Sequence, residues 1–264
     1  MSEASGAPFP YLDCNMRLGR SGVVRPEHIL DAPGLVAEMD YAGIAAALVY
    51  HAWSQEWDAP SGNRKLLAEI ADQPRLLPCF VALPHATDEL GDPEDFAAEV
   101  SQRHGAVRLY PKLHQYCLGD WCMGRTLHAL ADAGVPVLME MAQFEWDELA
   151  HLLRAYPRLN VVVLQTSYRV NRYLFPLFEE FDSLHLETCT YQIMRGIEAV
   201  TRKYGPHRLV FGTGLPLTDA GGPIAQIVYA ELPEETKALI AGGNLARLLG
   251  LDWPMTLPQE GSGA

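Results

Sequence analysis

The sequence predicts an α/β fold in which eight parallel strands close into a (β/α)8 barrel, the TIM-barrel architecture. Eight short apolar runs recur along the chain, each after a turn signal and each followed by a helical pattern. Most of these runs are continuously apolar rather than alternating, as a parallel strand covered on both faces requires. The 264 residues are 48% hydrophobic, which suits one large core better than two small ones. An open doubly wound sheet is the second choice, but no glycine-rich phosphate fingerprint follows any strand.

In order, the strands are expected over 11–15, 46–51, 76–83, 106–113, 135–141, 161–166, 183–189 and 208–214. Helical patterns fill the intervals, over 26–42, 62–71, 93–103, 124–133, 146–155, 171–181, 191–203 and 223–229, with an extra helix over 233–240. Helix stops precede several strands, as in Asp132-Ala133-Gly134 and Tyr204-Gly205-Pro206. The expectation is a single unit over 1–264, with the barrel over about 10–250 and loose termini.

Composition removes several classes of function. A formal charge of −13 gives an acidic surface that repels phosphate backbones and anionic lipid, so neither nucleic acid nor membrane is expected as a partner. No apolar stretch is long enough to cross a bilayer, and the first residues lack both a basic start and an apolar run; a cytoplasmic protein is expected. Five cysteines, Cys14, Cys79, Cys117, Cys122 and Cys189, show no paired spacing and read as buried small apolar groups rather than a disulfide framework or a zinc knuckle. A small anionic molecule is the expected partner, with a homo-oligomer left open.

Barrel chemistry is built at the C-terminal strand ends and on the loops that follow. There the sequence offers Asp13, Asn15 and Arg17 from the first strand, His51 and Trp53 from the second, His85 from the third, and Lys112, His114 and Tyr116 from the fourth. The fifth offers Glu140 and Gln143; the sixth, Gln165, Ser167, Tyr168 and Arg169; the seventh, Glu187, Thr188 and Thr190; the eighth, Thr213 with Thr218 and Asp219 beyond. Lys112 and His114 are two apart, so on a strand both point to one face. His51 and His85 suit caps or loop hydrogen bonds. Trp53, Trp57 and Trp121 suit either a lid or loop anchors. Nucleophilic catalysis is poorly supported, because Ser167, Cys14, Cys117 and Cys189 have no elbow or histidine partner in sequence.

Several segments carry a family resemblance: Leu12-Asp13, Arg108-Leu109-Tyr110-Pro111-Lys112-Leu113-His114, Gly134-Val135-Pro136-Val137-Leu138, Phe211-Gly212-Thr213, and the closing Gly243-Asn244-Leu245-Ala246-Arg247-Leu248-Leu249-Gly250-Leu251. Together they resemble the amidohydrolase superfamily, in particular the family called amidohydrolase 2, over nearly the whole chain. The resemblance implies a (β/α)8 barrel and, in typical members, a divalent metal that activates water for hydrolysis or assists decarboxylation.

The ligand positions depart from that pattern. Where the resemblance implies His-x-His on the first strand, this chain has Asn15 and Arg17; the later ligands align with Glu140, Gln165 and Gly214. A zinc-type site needs neutral imidazoles or anionic ligands, and of these five residues only Glu140 qualifies. The expectation is therefore no metal and no cofactor at the usual site.

Three readings follow. In the first, a metal-independent enzyme of hydrolase, decarboxylase or lactonase type, Arg17 with Lys112 or Arg169 holds a carboxylate or stabilises an oxyanion, while Asp13, Glu140 or Glu187 acts as base. Asn15, His51, Lys112, His114, Gln165, Tyr168 and Arg169 would then contact substrate. In the second, catalysis is lost and the mouth is a ligand-binding or regulatory site. In the third, a relocated metal site is built from His51, His114, Glu140 and Glu187. Arg17 has a structural alternative, an ion pair with Glu140 or Glu187. Asn15 and Gln165 could equally fill the vacated metal pocket with hydrogen bonds. Glu140 and Glu187, from alternate strands, also admit a glycosidase-like pair across the mouth.

Overall fold

A computed structural model describes residues 8–23 and 31–255. Eight strands pair in parallel in the order of the chain, the TIM-barrel arrangement. They are β1 (Tyr11–Leu18), β2 (Ile44–His51), β3 (Leu76–Val81), β4 (Ala106–Arg108), β5 (Val137–Glu140), β6 (Val161–Leu164), β7 (Leu184–Glu187) and β8 (Leu209–Val210). The last edge closes on the first through backbone bonds from Cys14 N to Phe211 O at 3.0 Å, Gly214 N to Asn15 O at 3.0 Å and Arg17 N to Leu215 O at 2.9 Å.

The helices are α1 (Ala32–Ala42), α2 (Ala52–Glu56), α3 (Ala59–Ile70), α4 (Pro93–Gln102), α5 (Asp120–Asp132), α6 (Trp146–Ala155), α7 (Asn171–Glu180), α8 (Gly196–Tyr204), α9 (Gly221–Val228), α10 (Glu234–Ala238) and α11 (Asn244–Leu249). Local chemistry sets several ends. Asp31 caps α1 by accepting from Gly34 N, and Gly43, at φ 74°, ends it with a left-handed residue. Glu145 and Glu148 form a reciprocal capping box on α6. Residues 26–30 of the expected first helix lie outside the described residues.

The runs of the sequence become two layers. Leu12, Cys14, Ala46, Leu48, Tyr50, Leu77, Cys79, Ala106, Leu138, Val162, Leu164 and Val210 form one cluster with Leu245, Ala246, Leu248 and Leu249 of α11. This is the barrel interior, sealed at its N-terminal end by α11. A larger cluster, including Tyr11, Met16, Leu18, Ile44, Val49, Leu184, Leu186 and Phe211, lies between strands and helices. A buried leucine or isoleucine in either layer contributes about 1.5–3 kcal/mol, so these layers hold the frame on which the mouth is built.

Two differences from the expected elements shape the site. The fourth strand ends at Arg108 rather than 113, because 109–115 turn away at Pro111. Lys112 and His114 therefore do not share a strand face. In β1 the register with β2 shifts between Asp13 and Met16. A one-residue slip exchanges the two faces of a strand. Leu12 and Cys14 point inward before the shift, whereas Met16 and Leu18 join the outer layer after it. Asn15 and Arg17 are thereby turned toward the barrel axis. No described helix is long and apolar enough to cross a membrane.

Candidate active site

A cavity of about 200 Å³ opens at the C-terminal end of the barrel, lined by Asn15, Arg17, Tyr50, Gln165, Cys189, Thr190, Gly214, Leu215, Leu217 and Thr218. Strand ends and the loops after β6, β7 and β8 supply these residues, which is where the fold puts convergent side chains.

Arg108 organises the floor beneath it. It sits at the end of β4, two residues after inward-facing Ala106, and is 1% exposed. Its Nη1 donates to the Tyr110 hydroxyl at 2.9 Å and to Glu140 Oε1 at 3.2 Å, its Nη2 donates to Asn15 Oδ1, and its Cζ lies 3.8 Å from the centre of the Tyr50 ring. Asn15 passes the polarity on: its Nδ2 donates to Glu187 Oε1 at 2.6 Å, and Gln165 N donates to Glu187 Oε2 at 2.8 Å. Gln165 holds a left-handed φ of 52° at this point, a strained conformation for a non-glycine residue.

Two carboxyls lie under this floor and not in the cavity lining. Burial pushes Glu187 up to about 7, opposed by the bonds from Gln165 and Asn15. Burial likewise pushes Asp13 up to about 6, against bonds from Thr213 and from Asn15 N, the latter at 2.7 Å. Gly212 makes the close packing possible: a Cβ there would stand 2.6 Å from Glu187 Oε1 and 3.0 Å from Cys14 Sγ. Gly214, at φ +76°, is equally constrained, since a Cβ would meet Thr218 Oγ1 at 2.6 Å. An aspartate would be strained at this position.

Arg17 differs from Arg108. It lines the cavity and is 6% exposed, yet among the described residues its guanidinium makes no hydrogen bond. Its only charged contact there is Glu56 Oε1 at 3.8 Å, and that carboxylate is already taken by Ser21 Oγ and Gly22 N, each at 2.7 Å. The ion pair anticipated between Arg17 and Glu140 or Glu187 does not form, because Arg108 holds Glu140. Sequence reading passed over Arg108 as part of a family string. A charge within the apolar run Ala106-Val107-Arg108-Leu109 was the available signal, since a buried charge must find partners.

The remaining candidates are spread around the rim. Lys112 is exposed and pairs with Glu145 at 2.7 Å. Arg169 lies with its guanidinium 5.1 Å over the ring of exposed Tyr168. His114 Nε2 is 2.7 Å from Gln55 O and ties its loop to α2. His51 is fully buried, caps α2 by accepting from Trp53 N at 3.0 Å, and sets its other nitrogen 3.5 Å from Glu69. The four residues of a relocated metal site are thus held in separate places, and among the described residues no three His, Cys, Asp or Glu side chains converge on a common point. Trp57 and Trp121 are exposed. All five cysteines are free; burial raises the Cys189 thiol to about 12, and it donates to Thr213 O at 2.9 Å.

The amidohydrolase family model matches residues 31–251. The chain belongs to the amidohydrolase family. The match begins after β1, so the strand carrying Asn15 and Arg17 lies outside it. No curated protein matches the chain in sequence. Among solved structures, a 5-carboxyvanillate decarboxylase from Sphingomonas paucimobilis is 14% identical with a TM-score of 0.67, covering 92% of this chain and 100% of that one. A 2,6-dihydroxybenzoate decarboxylase from Rhizobium is 15% identical with a TM-score of 0.67, covering 92% and 99%. A 5-carboxyvanillate decarboxylase from Novosphingobium aromaticivorans, complexed with manganese and 4-hydroxy-3-methoxy-5-nitrobenzoic acid, is 13% identical with a TM-score of 0.71, covering 95% and 100%. At these identities the likeness establishes a shared fold.

The residues of this amidohydrolase-family barrel do not fit the family's metal. Asn15 directs its oxygen to Arg108, Arg17 is a cation, Gly214 has no side chain, and Glu140 is engaged by Arg108. A fixed guanidinium at this place repels a second cation.

Proposed function

We propose that this amidohydrolase-family chain is an enzyme acting on a small carboxylic acid, bound in the mouth cavity by Arg17 without the family's metal. The observation that carries the reading is Arg17 itself: a buried guanidinium facing a small cavity, with its donors unclaimed among the described residues. A planar fork of this kind matches two carboxylate oxygens, and the low-dielectric wall makes each bond stronger than it would be in water. Leu215, Leu217 and the Tyr50 ring supply an apolar wall for the rest of the molecule.

The lining favours loss of carbon dioxide over hydrolysis. Hydrolysis requires an activated water, yet the lining contains no carboxylate and no histidine. Its thiol, Cys189, is held protonated by burial. Decarboxylation instead needs the carboxylate oriented, the developing charge stabilised, and a proton returned to carbon. Arg17 serves the first need; the electron pair of the broken carbon–carbon bond stays on the substrate's own framework, as an unsaturated or aromatic acid allows, and water at the open mouth returns the proton. Three of the solved neighbours are decarboxylases by name, while others carry the name amidohydrolase. A second reading, a binding protein without turnover, is favoured by the sealed position of Asp13 and Glu187 under the Asn15 floor.

A panel of small aromatic and aliphatic carboxylic acids separates these readings, with the melting temperature and released carbon dioxide measured for each. The proposal expects at least one acid to raise the melting temperature and to lose carbon dioxide. Protection without turnover of any acid, ester or lactone supports the binding protein. If no carboxylate protects the fold, the assignment of the cavity to a carboxylate is wrong.

A further inference from the structure

We infer that Arg108 is a built-in cation, occupying the electrostatic place that a divalent metal takes in typical members of the family, and that it sets the orientation of the cavity floor. Two of the five positions aligned with metal ligands, Asn15 and Glu140, bond its guanidinium directly. A third, Gln165, is joined to the same group through Glu187 and Asn15. The guanidinium is enclosed by the Tyr50 face and the Tyr110 hydroxyl. Its charge is answered by Glu140 in contact, with Glu187 one hydrogen bond further away and Asp13 close enough to feel it.

That arrangement is balanced only while the arginine is present. A buried charge persists when it is paired and hydrogen-bonded, and here Glu140 pairs with the cation while Asn15 and Tyr110 accept its remaining bonds. Removing the cation leaves Glu140 and the Asn15 amide oxygen without their donor, with Glu187 one hydrogen bond away, and a histidine at 108 would add an imidazole beside them. Hard divalent ions are bound by such oxygen sets. Arg108 therefore does two jobs that a metal would otherwise do: it neutralises Glu140 and it fixes the Asn15 amide, oxygen toward itself and NH2 toward Glu187. It does not line the cavity, so its effect on a bound molecule passes through Asn15, and it is a positioning residue.

The test compares the parent with Arg108→His, Arg108→Lys and Arg108→His/Glu140→Gln. Mn2+ is the probe, read by melting temperature, calorimetric titration and anomalous scattering. The parent and Arg108→Lys, both with a cation in place, are expected to show no melting shift with Mn2+. Arg108→His removes the fixed charge and adds a neutral imidazole. It is expected to gain a saturable Mn2+ site with density beside Asn15 and a rise of several degrees, both lost again in the double variant. If Arg108→His unfolds when purified, refolding with Mn2+ is expected to rescue it. A parent that binds Mn2+ stoichiometrically at Asn15 and Glu140 overturns the inference. So does an Arg108→His protein that folds yet ignores Mn2+, or that fails to fold with or without the ion. None of these readouts requires a carboxylate to bind, so the outcome is independent of the proposed substrate.

Discussion

The two ends of the barrel each bury an arginine, and the use made of its donors differs. At the N-terminal end Arg208, 3% exposed, donates from Nη1 to Phe181 O at 2.7 Å and Leu184 O at 3.2 Å, and from Nη2 to Phe178 O at 3.0 Å and Asp182 Oδ1 at 2.8 Å. Its two terminal nitrogens are spent on three carbonyls and the Asp182 carboxylate, which makes it a clamp on the α7–β7 corner. At the C-terminal end Arg17 is nearly as buried but faces a cavity, with no such acceptors among the described residues. Burial alone therefore does not distinguish the two arginines. The engagement of the terminal nitrogens does, because a buried donor without an acceptor carries a desolvation cost that a ligand can relieve.

The contrast is broken most forcefully by deleting each group in turn. Arg208→Met strands three carbonyls and is expected to lower stability by about 3–5 kcal/mol, read by denaturant unfolding, while any carboxylate affinity stays unchanged. Arg17→Met is expected to do the reverse, leaving the unfolding midpoint close to the parent's and weakening a protective carboxylate roughly 30-fold or more in a titration. Equal destabilisation by both variants would put Arg17 in the same class as Arg208.

A smaller effect comes from the acids under the floor. Glu187 and Asp13 are pushed up to about 7 and about 6 by burial, so the folded protein binds their protons more tightly than the unfolded chain. Their contribution is complete below the unfolded values and is lost as pH rises through 6 to 7. His185, lowered to about 4 by burial, acts in the opposite sense, but its contribution is complete above its unfolded value of 6.5. The melting temperature is therefore expected to fall between pH 6.5 and 8. In Glu187→Gln, which has no charge to bury but offers only one acceptor for two donors, the expected curve is lower and flatter over that interval. An unchanged slope would show that Glu187 does not titrate there.

The smallest effects belong to the rim. Lys112 and Arg169 are exposed, one paired with Glu145 and one over Tyr168. Replacing either by Met is expected to change carboxylate affinity by less than about threefold, as exposed charges contribute little. A loss comparable to that of Arg17→Met would extend the binding site outward to the rim.

The barrel was legible because burial on both faces writes each strand as an apolar run, and the helices between them carry their own caps. The site was legible only where a strand end could be counted. Asn15 and Arg17 were placed at the mouth by spacing, although what turns them inward is the register shift after Asp13, a backbone irregularity with no side-chain signature. Lys112 and His114 were misread as strand partners because Pro111 ends the pairing earlier than the apolar run does. Arg108 was missed for a different reason. Its partners Asn15, Glu140 and Tyr50 come from three other strands, and only closure of the barrel brings them together. The separation of Asp13 and Glu187 from the cavity was equally hidden, since period-two counting gives a face but not a depth.

The central claim is that Arg17 receives the ligand's carboxylate in the mouth cavity. A crystal structure with whichever acid most raises the melting temperature tests it most directly. The account predicts carboxylate oxygens about 2.7–2.9 Å from the Arg17 guanidinium, with the rest of the molecule against Tyr50, Leu215 and Leu217 and the Arg108 to Asn15 bond intact. A ligand bound at the rim or on the outer helices, with Arg17 still facing Glu56 alone, would contradict it.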